Sequence, residues 1–220
     1  MALILCIETA TTNCSVSLGG DGEVLALKED YSNGYSHGER LHLYIQQILQ
    51  DNRLHPDELQ AIAVSKGPGS YTGLRIGVSA AKGLCFSLDI PLLSVPTLDS
   101  LARQAFSEEV PVVIPMLDAR RMEVYTAGYP GKGVQLFTTR AEVLHPESYK
   151  EYLEAGPVAF IGNGVEKFSG ICRHPNAKFI RGKLPSAKEM IPLAERAYQD
   201  GSFENVAYFE PYYLKDFMAG

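Results

Sequence analysis

LQAIAVSKGPGSYTGLRIGVSAAKGLCFSL, residues 59–88, decides how the rest of the chain is read. Leu59 to Ser65 is apolar and of strand length, and Leu74 to Leu88 is apolar and of helix length. Between them Lys66-Gly67-Pro68-Gly69-Ser70-Tyr71-Thr72-Gly73 forms a turn poor in side chains, so the layout is strand, glycine turn, helix. Glycines admit unusual dihedrals and close approach, and a helix N-terminus presents unpaired N–H groups. Gly67, Gly69, Ser70 and Arg75 are therefore candidate anion-binding residues. Neither standard phosphate motif is complete. Leu74 and Arg75 follow Gly73 where a P-loop needs Lys and then Ser or Thr, and Ser70, Tyr71 and Thr72 put one residue too many before Gly73 for GxGxxG. A purely structural turn, with Ser70 and Thr72 as helix-capping oxygens, is the competing reading.

Toward the N-terminus, Leu3 to Glu8, Ser15 to Gly19 and Glu23 to Lys28 read as three strands, with Gly19-Gly20-Asp21-Gly22 as a hairpin turn. Ser36-His37-Gly38-Glu39 has the form of a capping box, and Leu41, Tyr44, Ile45, Ile48 and Leu49 then mark one helical face ending near Arg53. Beyond residue 88 come a strand at Leu92 to Val95 and a helix from Thr97 to Phe106. The order β-β-β-α-β-α-β-α begins again at Val110. Strands are expected at VPVVIPML, Arg121 to Tyr129 and Gly133 to Phe137, then a helix at Glu147 to Leu153 and a strand at Val158 to Gly162. A short helix near Val165, a strand near Phe179 and a helix from Ala187 to Asp200 complete it. The chain is thus expected to be a duplicated α/β protein, residues 1–107 forming one lobe and 108–220 a smaller, degraded second.

At 220 residues the chain buries a proper core. A net charge of -6, with no basic run, argues against unaided binding of nucleic acid or an anionic membrane. If RNA is the substrate, another subunit supplies much of the positive surface. The start ALILCIET lacks a signal-peptide pattern and no segment reaches membrane-spanning length. Cys6, Cys14, Cys85 and Cys172 form no CxxC pair, so a reduced, cytoplasmic protein is expected.

Two copies of this topology occur in the actin, Hsp70 and sugar-kinase superfamily. Within it the chain resembles the TsaB (YeaZ) family. The likeness is carried by Ile4-Leu5-Cys6-Ile7-Glu8-Thr9-Ala10-Thr11, by Cys14-Ser15-Val16-Ser17-Leu18, by Lys66 to Val78 and by Leu117-Asp118-Ala119-Arg120-Arg121-Met122-Glu123-Val124-Tyr125. Gly162-Asn163-Gly164 and Pro211-Tyr212-Tyr213-Leu214 fit it more loosely. The resemblance implies a non-catalytic, activating subunit that pairs with a larger paralogue, TsaD, which transfers a threonylcarbamoyl group to the adenosine beside the tRNA anticodon. It further implies a TsaE ATPase in a larger complex, tRNA met only through the complex, and ATP and a metal held by partner subunits. A homodimer when the chain is alone is expected from the apolar surface of its helices.

Residue by residue, no catalytic set emerges, and no cofactor is expected in the chain alone. The resemblance implies that the paralogue's metal is held by histidines at HxxxH spacing, but His37 and His42 are five apart. That is about 500° of helical rotation, which points the rings away from each other. In a kinase of this fold Glu8 and Asp118 would be the two carboxylates, yet Thr9-Ala10-Thr11 and Ala119-Arg120-Arg121 follow them without a glycine. Arg120 is a candidate anion-binding residue, or pairs internally with Asp118. No GxSxG surrounds Ser70. An autonomous sugar-kinase-type phosphotransferase, and less so a peptidase, are the alternatives. The 74–88 helix is apolar nearly all round, so one side is expected to meet another helix or subunit. The expected partner-binding residues are Leu41, Tyr44, Ile45 and Ile48 on the first helix and Leu74, Gly77, Val78, Ala81, Leu84 and Cys85 on the second. On this reading Gly77→Arg abolishes pairing and leaves the lobe folded.

Overall fold

A computed structural model describes residues 2–31, 34, 36–107, 110–131 and 135–215. The first repeat comprises β1 (Leu3–Glu8), β2 (Cys14–Gly20), β3 (Glu23–Asp30), α1 (His37–Asp51), β4 (Ala61–Gly67), α2 (Tyr71–Leu88), β5 (Leu92–Pro96) and α3 (Thr97–Arg103). The second comprises β6 (Val112–Asp118), β7 (Glu123–Pro130), β8 (Phe137–Val143), α4 (Lys150–Ala155), β9 (Val158–Ile161), α5 (Val165–Ile171), β10 (Ala177–Ile180) and α6 (Ala187–Gln199). The two sheets, β3-β2-β1-β4-β5 and β10-β9-β6-β7-β8, share one strand order read from opposite edges. In each, three antiparallel strands are followed by two that run parallel to the first. The second copy is reduced in its helices: α4 and α5 have 6 and 7 residues, against 15 and 18 for α1 and α2.

Two compact units result, one of residues 1–100 with 185–220 and one of 101–184. This corrects the expected division into 1–107 and 108–220. The reason lies in the first sheet, whose central strands β1 and β4 are apolar on both faces because a βαβ sheet is covered on both. Leu3, Leu5 and Ile7 of β1 pack in the cluster beneath α1 and α2, and the alternate residues Ile4 and Cys6 face the other way. On that other face they meet Ala187, Met190, Ile191 and Ala194, the buried stripe of α6. The start of α6 is fastened by buried polar side chains in β2 and just before it. Ser17 Oγ donates to Ala187 O (2.7 Å), Ala187 N donates to Ser15 Oγ (3.0 Å), and Asn13 Nδ2 donates to Pro185 O (2.9 Å). The helix that ends the second repeat therefore completes the first unit.

Two local expectations are also corrected. Ser36 precedes α1 without a side-chain cap; its hydroxyl donates to Asp30 Oδ2 at 3.2 Å instead. The strand expected at Gly133 to Phe137 begins at Phe137 and runs to Val143, and residues 133 and 134 lie outside the described residues. The second core is aromatic, with Phe160 meeting Phe168 and Tyr149 at ring separations of 4.9 and 5.5 Å. All four cysteines are free and buried. Among the described residues, no helix is long and apolar enough to cross a membrane.

Candidate functional site

The glycine turn is filled by the chain itself. Ser70 N donates to Ala10 O at 2.7 Å, and Ser70 Oγ accepts from Gly73 N at 3.3 Å as the cap of α2. A Cβ at Gly69 would lie 2.5 Å from Ala10 O, and one at Gly73 or Gly77 would overlap Thr9 O or Thr9 Oγ1. These glycines thus admit the loop that follows β1. At Gly67 the neighbour is Tyr212 O, 2.8 Å from the Cβ position, and Tyr212 N donates to Lys66 O at 2.7 Å. Arg75 lies 4.4 Å over the Tyr71 ring and donates to Tyr213 Oη at 3.3 Å. The candidates Gly67, Gly69, Ser70 and Arg75 are brought together, but around protein atoms, which favours the structural reading of the turn. Arg120 belongs to the other unit.

The loop after β1 is held from every side. Glu8 is fully buried; its Oε1 accepts from Ala10 N at 2.7 Å, and burial pushes its carboxyl up to about 7. Thr9 N donates to Ser65 Oγ at 3.4 Å, and His37 Nε2 lies 2.7 Å from Thr11 O. Burial holds the His37 ring below the usual imidazole range, so the neutral ring donates to that carbonyl. In open α/β sheets, ligands enter at the carboxyl ends of the strands. Here Thr9 and Ala10 pack at that end of β1 and β4, against Ser65, Gly69, Ser70 and Gly73. His37 is buried while His42 is exposed, and among the described residues no three His, Cys, Asp or Glu side chains gather as a metal site requires.

Most of the residues expected to bind a partner are buried within their own unit. Leu41, Ile45, Ile48, Val78, Ala81 and Cys85 lie in the core of their own unit, Leu74 is fully enclosed, and Gly77 is pressed against Thr9. Only Tyr44 and Leu84 are partly accessible. The most apolar stripe of each helix is the one its own sheet takes, so the outward face lies on the residues between. On α2 these are Thr72, Arg75, Ser79, Gly83 and Phe86, spaced along one helical stripe and all exposed. Phe86 is 84% exposed and Leu43 on α1 is 47% exposed. A groove of about 550 Å³ is lined by His42 of α1 and by Arg75, Ile76, Ser79, Ala80, Gly83 and Leu84 of α2. A Cβ at Gly83 would meet nothing within 4 Å. Leu43 and Phe86 were visible in the sequence as large apolar residues outside the buried stripes.

At the tip between β6 and β7, the expected Asp118–Arg120 ion pair is replaced by another. Asp118 Oδ1 pairs with Lys167 Nζ at 2.9 Å and accepts from the backbone N–H of Arg120 at 2.6 Å.

Two copies of one β-β-β-α-β-α-β-α unit define a duplicated α/β protein of the actin, Hsp70 and sugar-kinase class. A family profile described as TsaD, tRNA N6-adenosine threonylcarbamoyltransferase, matches residues 33–219. The chain is 32% identical over 223 residues to the tRNA threonylcarbamoyladenosine biosynthesis protein TsaB of Escherichia coli (strain K12), covering 98% of this chain and 96% of that one. It is 29% identical over 226 residues to the TsaB protein of Haemophilus influenzae, covering 97% and 93%. The solved structure of YeaZ from Pseudomonas aeruginosa matches with a TM-score of 0.83 at 29% identity, over 97% of this chain and all of that one. The chain belongs to the TsaB (YeaZ) family.

Proposed function

We propose that this chain is the non-catalytic, activating subunit of a tRNA threonylcarbamoyladenosine-forming system, the synthesis for which its relatives are named. It docks a TsaD paralogue on the outward face of α1 and α2. The observation that carries this reading is the exposed stripe of α2, whose small residues Ser79 and Gly83 line the groove with His42 of α1 and which ends in the projecting Phe86. Small residues let a second helix approach closely, and an exposed phenylalanine inside a regular helix is an anchor awaiting a pocket. A paralogue of the same fold presents two equivalent helices, and about 1,600 Å² of buried surface would suffice for a stable pair. Without the paralogue the same face closes on a second copy. ATP and the catalytic metal belong to the partner subunits, TsaD and a TsaE ATPase.

The closed loop after β1 supports an accessory role over the phosphotransferase alternative, because the glycine turn spends its space on Thr9 and Ala10. The test is co-purification with the paralogue. Phe86→Asp and Gly83→Arg should each abolish the heterodimer while leaving the thermal unfolding midpoint within a few degrees of the parent. Retention of the heterodimer by both variants overturns this docking face.

A further inference from the structure

The tip joining β6 to β7 holds two consecutive residues in the left-handed region, Arg120 at φ 67° and Arg121 at φ 47°. Side chains with a Cβ are disfavoured there, and hairpin turns normally place Gly, Asn or Asp at such positions. The strained conformation is held firmly. Ala119 N donates to Glu123 O at 3.1 Å and Glu123 N to Arg120 O at 3.1 Å. Asp118 N donates to Asn163 Oδ1 at 2.9 Å, while the Asp118 carboxylate accepts from the Arg120 N–H and from Lys167. Lys167 also donates to Glu123 O at 3.0 Å. Both arginines are exposed, and among the described residues neither guanidinium has a hydrogen bond or an ion pair. A turn that fixes two arginines in the backbone conformation least suited to them, and gives their charges nothing inside the chain, presents them to something outside it.

The neighbouring strand ends say what. β6, β9 and β10 run parallel and adjacent, so their carboxyl ends share one edge of the sheet. Arg181 and Lys183 follow β10 on that edge, two strands from β6, and Arg120 and Arg121 follow β6 where it extends past the level of Ile180, which is level with Pro115, so the two sets of cations stand about 15 Å apart. The carboxylates of Asp118 and Glu166 are matched by Lys167 and by Arg181 (3.2 Å), and Arg120, Arg121 and Lys183 outnumber Glu123, the further carboxylate at the base of the tip. Separated cations along one edge suit a row of phosphates better than a single carboxylate, and guanidinium forks suit phosphate oxygens.

We infer that the Arg120–Arg121 tip, with Lys183, grips the phosphodiester backbone of RNA when this chain acts within its complex. The inference rests on the proposed function for the presence of RNA. It gives an acidic chain a local, rigid contact that its net charge of -6 does not predict.

The test uses the complex of the full chain with its TsaD paralogue and a fluorescently labelled, unmodified tRNA transcript, read by anisotropy over a salt series. The double variant Arg120→Gly/Arg121→Gly removes both charges while easing the backbone, so it should fold at least as well as the parent and still co-purify with the paralogue. Its affinity for the transcript should fall about fivefold to tenfold near 0.15 M salt, and the slope of log affinity against log salt should flatten by about 1 to 2. Lys183→Ala should give a smaller loss in the same direction. Unchanged affinity and slope in the double variant, with the parent complex binding normally, overturn the tip alone. Loss of the paralogue instead of the RNA overturns it in favour of a carboxylate-docking role. A parent complex that binds no transcript overturns the tip and the proposed function together.

Discussion

Glu8 closes β1 with a carboxyl that has no exposure to water and takes its hydrogen bond from Ala10 N. Its pKa is raised from 4.5 to about 7, with burial as the leading cause. The folded state therefore holds a proton that the unfolded chain releases, and Glu8 subtracts stability as pH rises from 4.5 to about 7, with a constant deficit above. His37 acts oppositely: its pKa is lowered by burial, so stability is lost as pH falls below its unfolded value of 6.5. Comparing Glu8→Gln with the parent isolates the first effect. Denaturant midpoints should converge near pH 4.5 and separate toward pH 8 in favour of the variant, by up to about 3 kcal/mol. A constant gap between the curves contradicts the buried-carboxyl account. Two glycines on α2 give a second contrast. Gly77→Ala drives a methyl into Thr9 and should cost about 1–3 kcal/mol. Gly83→Ala faces open space and should gain up to about 1 kcal/mol. Equal effects in thermal unfolding would show that the two faces of the helix had been misassigned.

α6 is the element whose place the sequence did not disclose. Its amphipathic pattern was readable, and so was its position as the last helix of the second repeat, but periodicity names a buried face without naming what buries it. The signal that existed was polar. Asn13 just before β2 and Ser15 and Ser17 within it are fully buried, and make sense as partners for the start of a helix. A chain truncated at residue 184 should fail to give a folded first unit, and Ile191→Ala should cost about 2–4 kcal/mol. Normal cooperative unfolding of the truncated chain would restore the simpler division at residue 107. The same reasoning explains α1 and α2. The sequence located both helices and their apolar stripes within a few residues, yet the stripes chosen as an interface were the ones the sheet already used. β8 slipped because Gly133 to Phe137 was matched to a strand by composition, whereas pairing is set by Phe137 opposite Gly128 and Arg140 opposite Thr126.

At the scale of the whole molecule, the duplication was the most legible property, because eight elements recur in one order and build one sheet topology twice. The chemistry was less legible, since a glycine turn before a helix reads the same whether it cradles a phosphate or its own neighbouring loop. The structure distinguishes them only through the atoms that Gly69, Gly73 and Gly77 admit. The most direct measurement of the central claim is threonylcarbamoyl transfer to a tRNA transcript by three samples: this chain alone, the TsaD paralogue with the other pathway proteins, and all of them combined. An activating subunit predicts product only, or at least tenfold faster, in the combined sample, with the gain lost in Gly83→Arg. Product from this chain without the paralogue, or equal rates with and without it, contradicts the account.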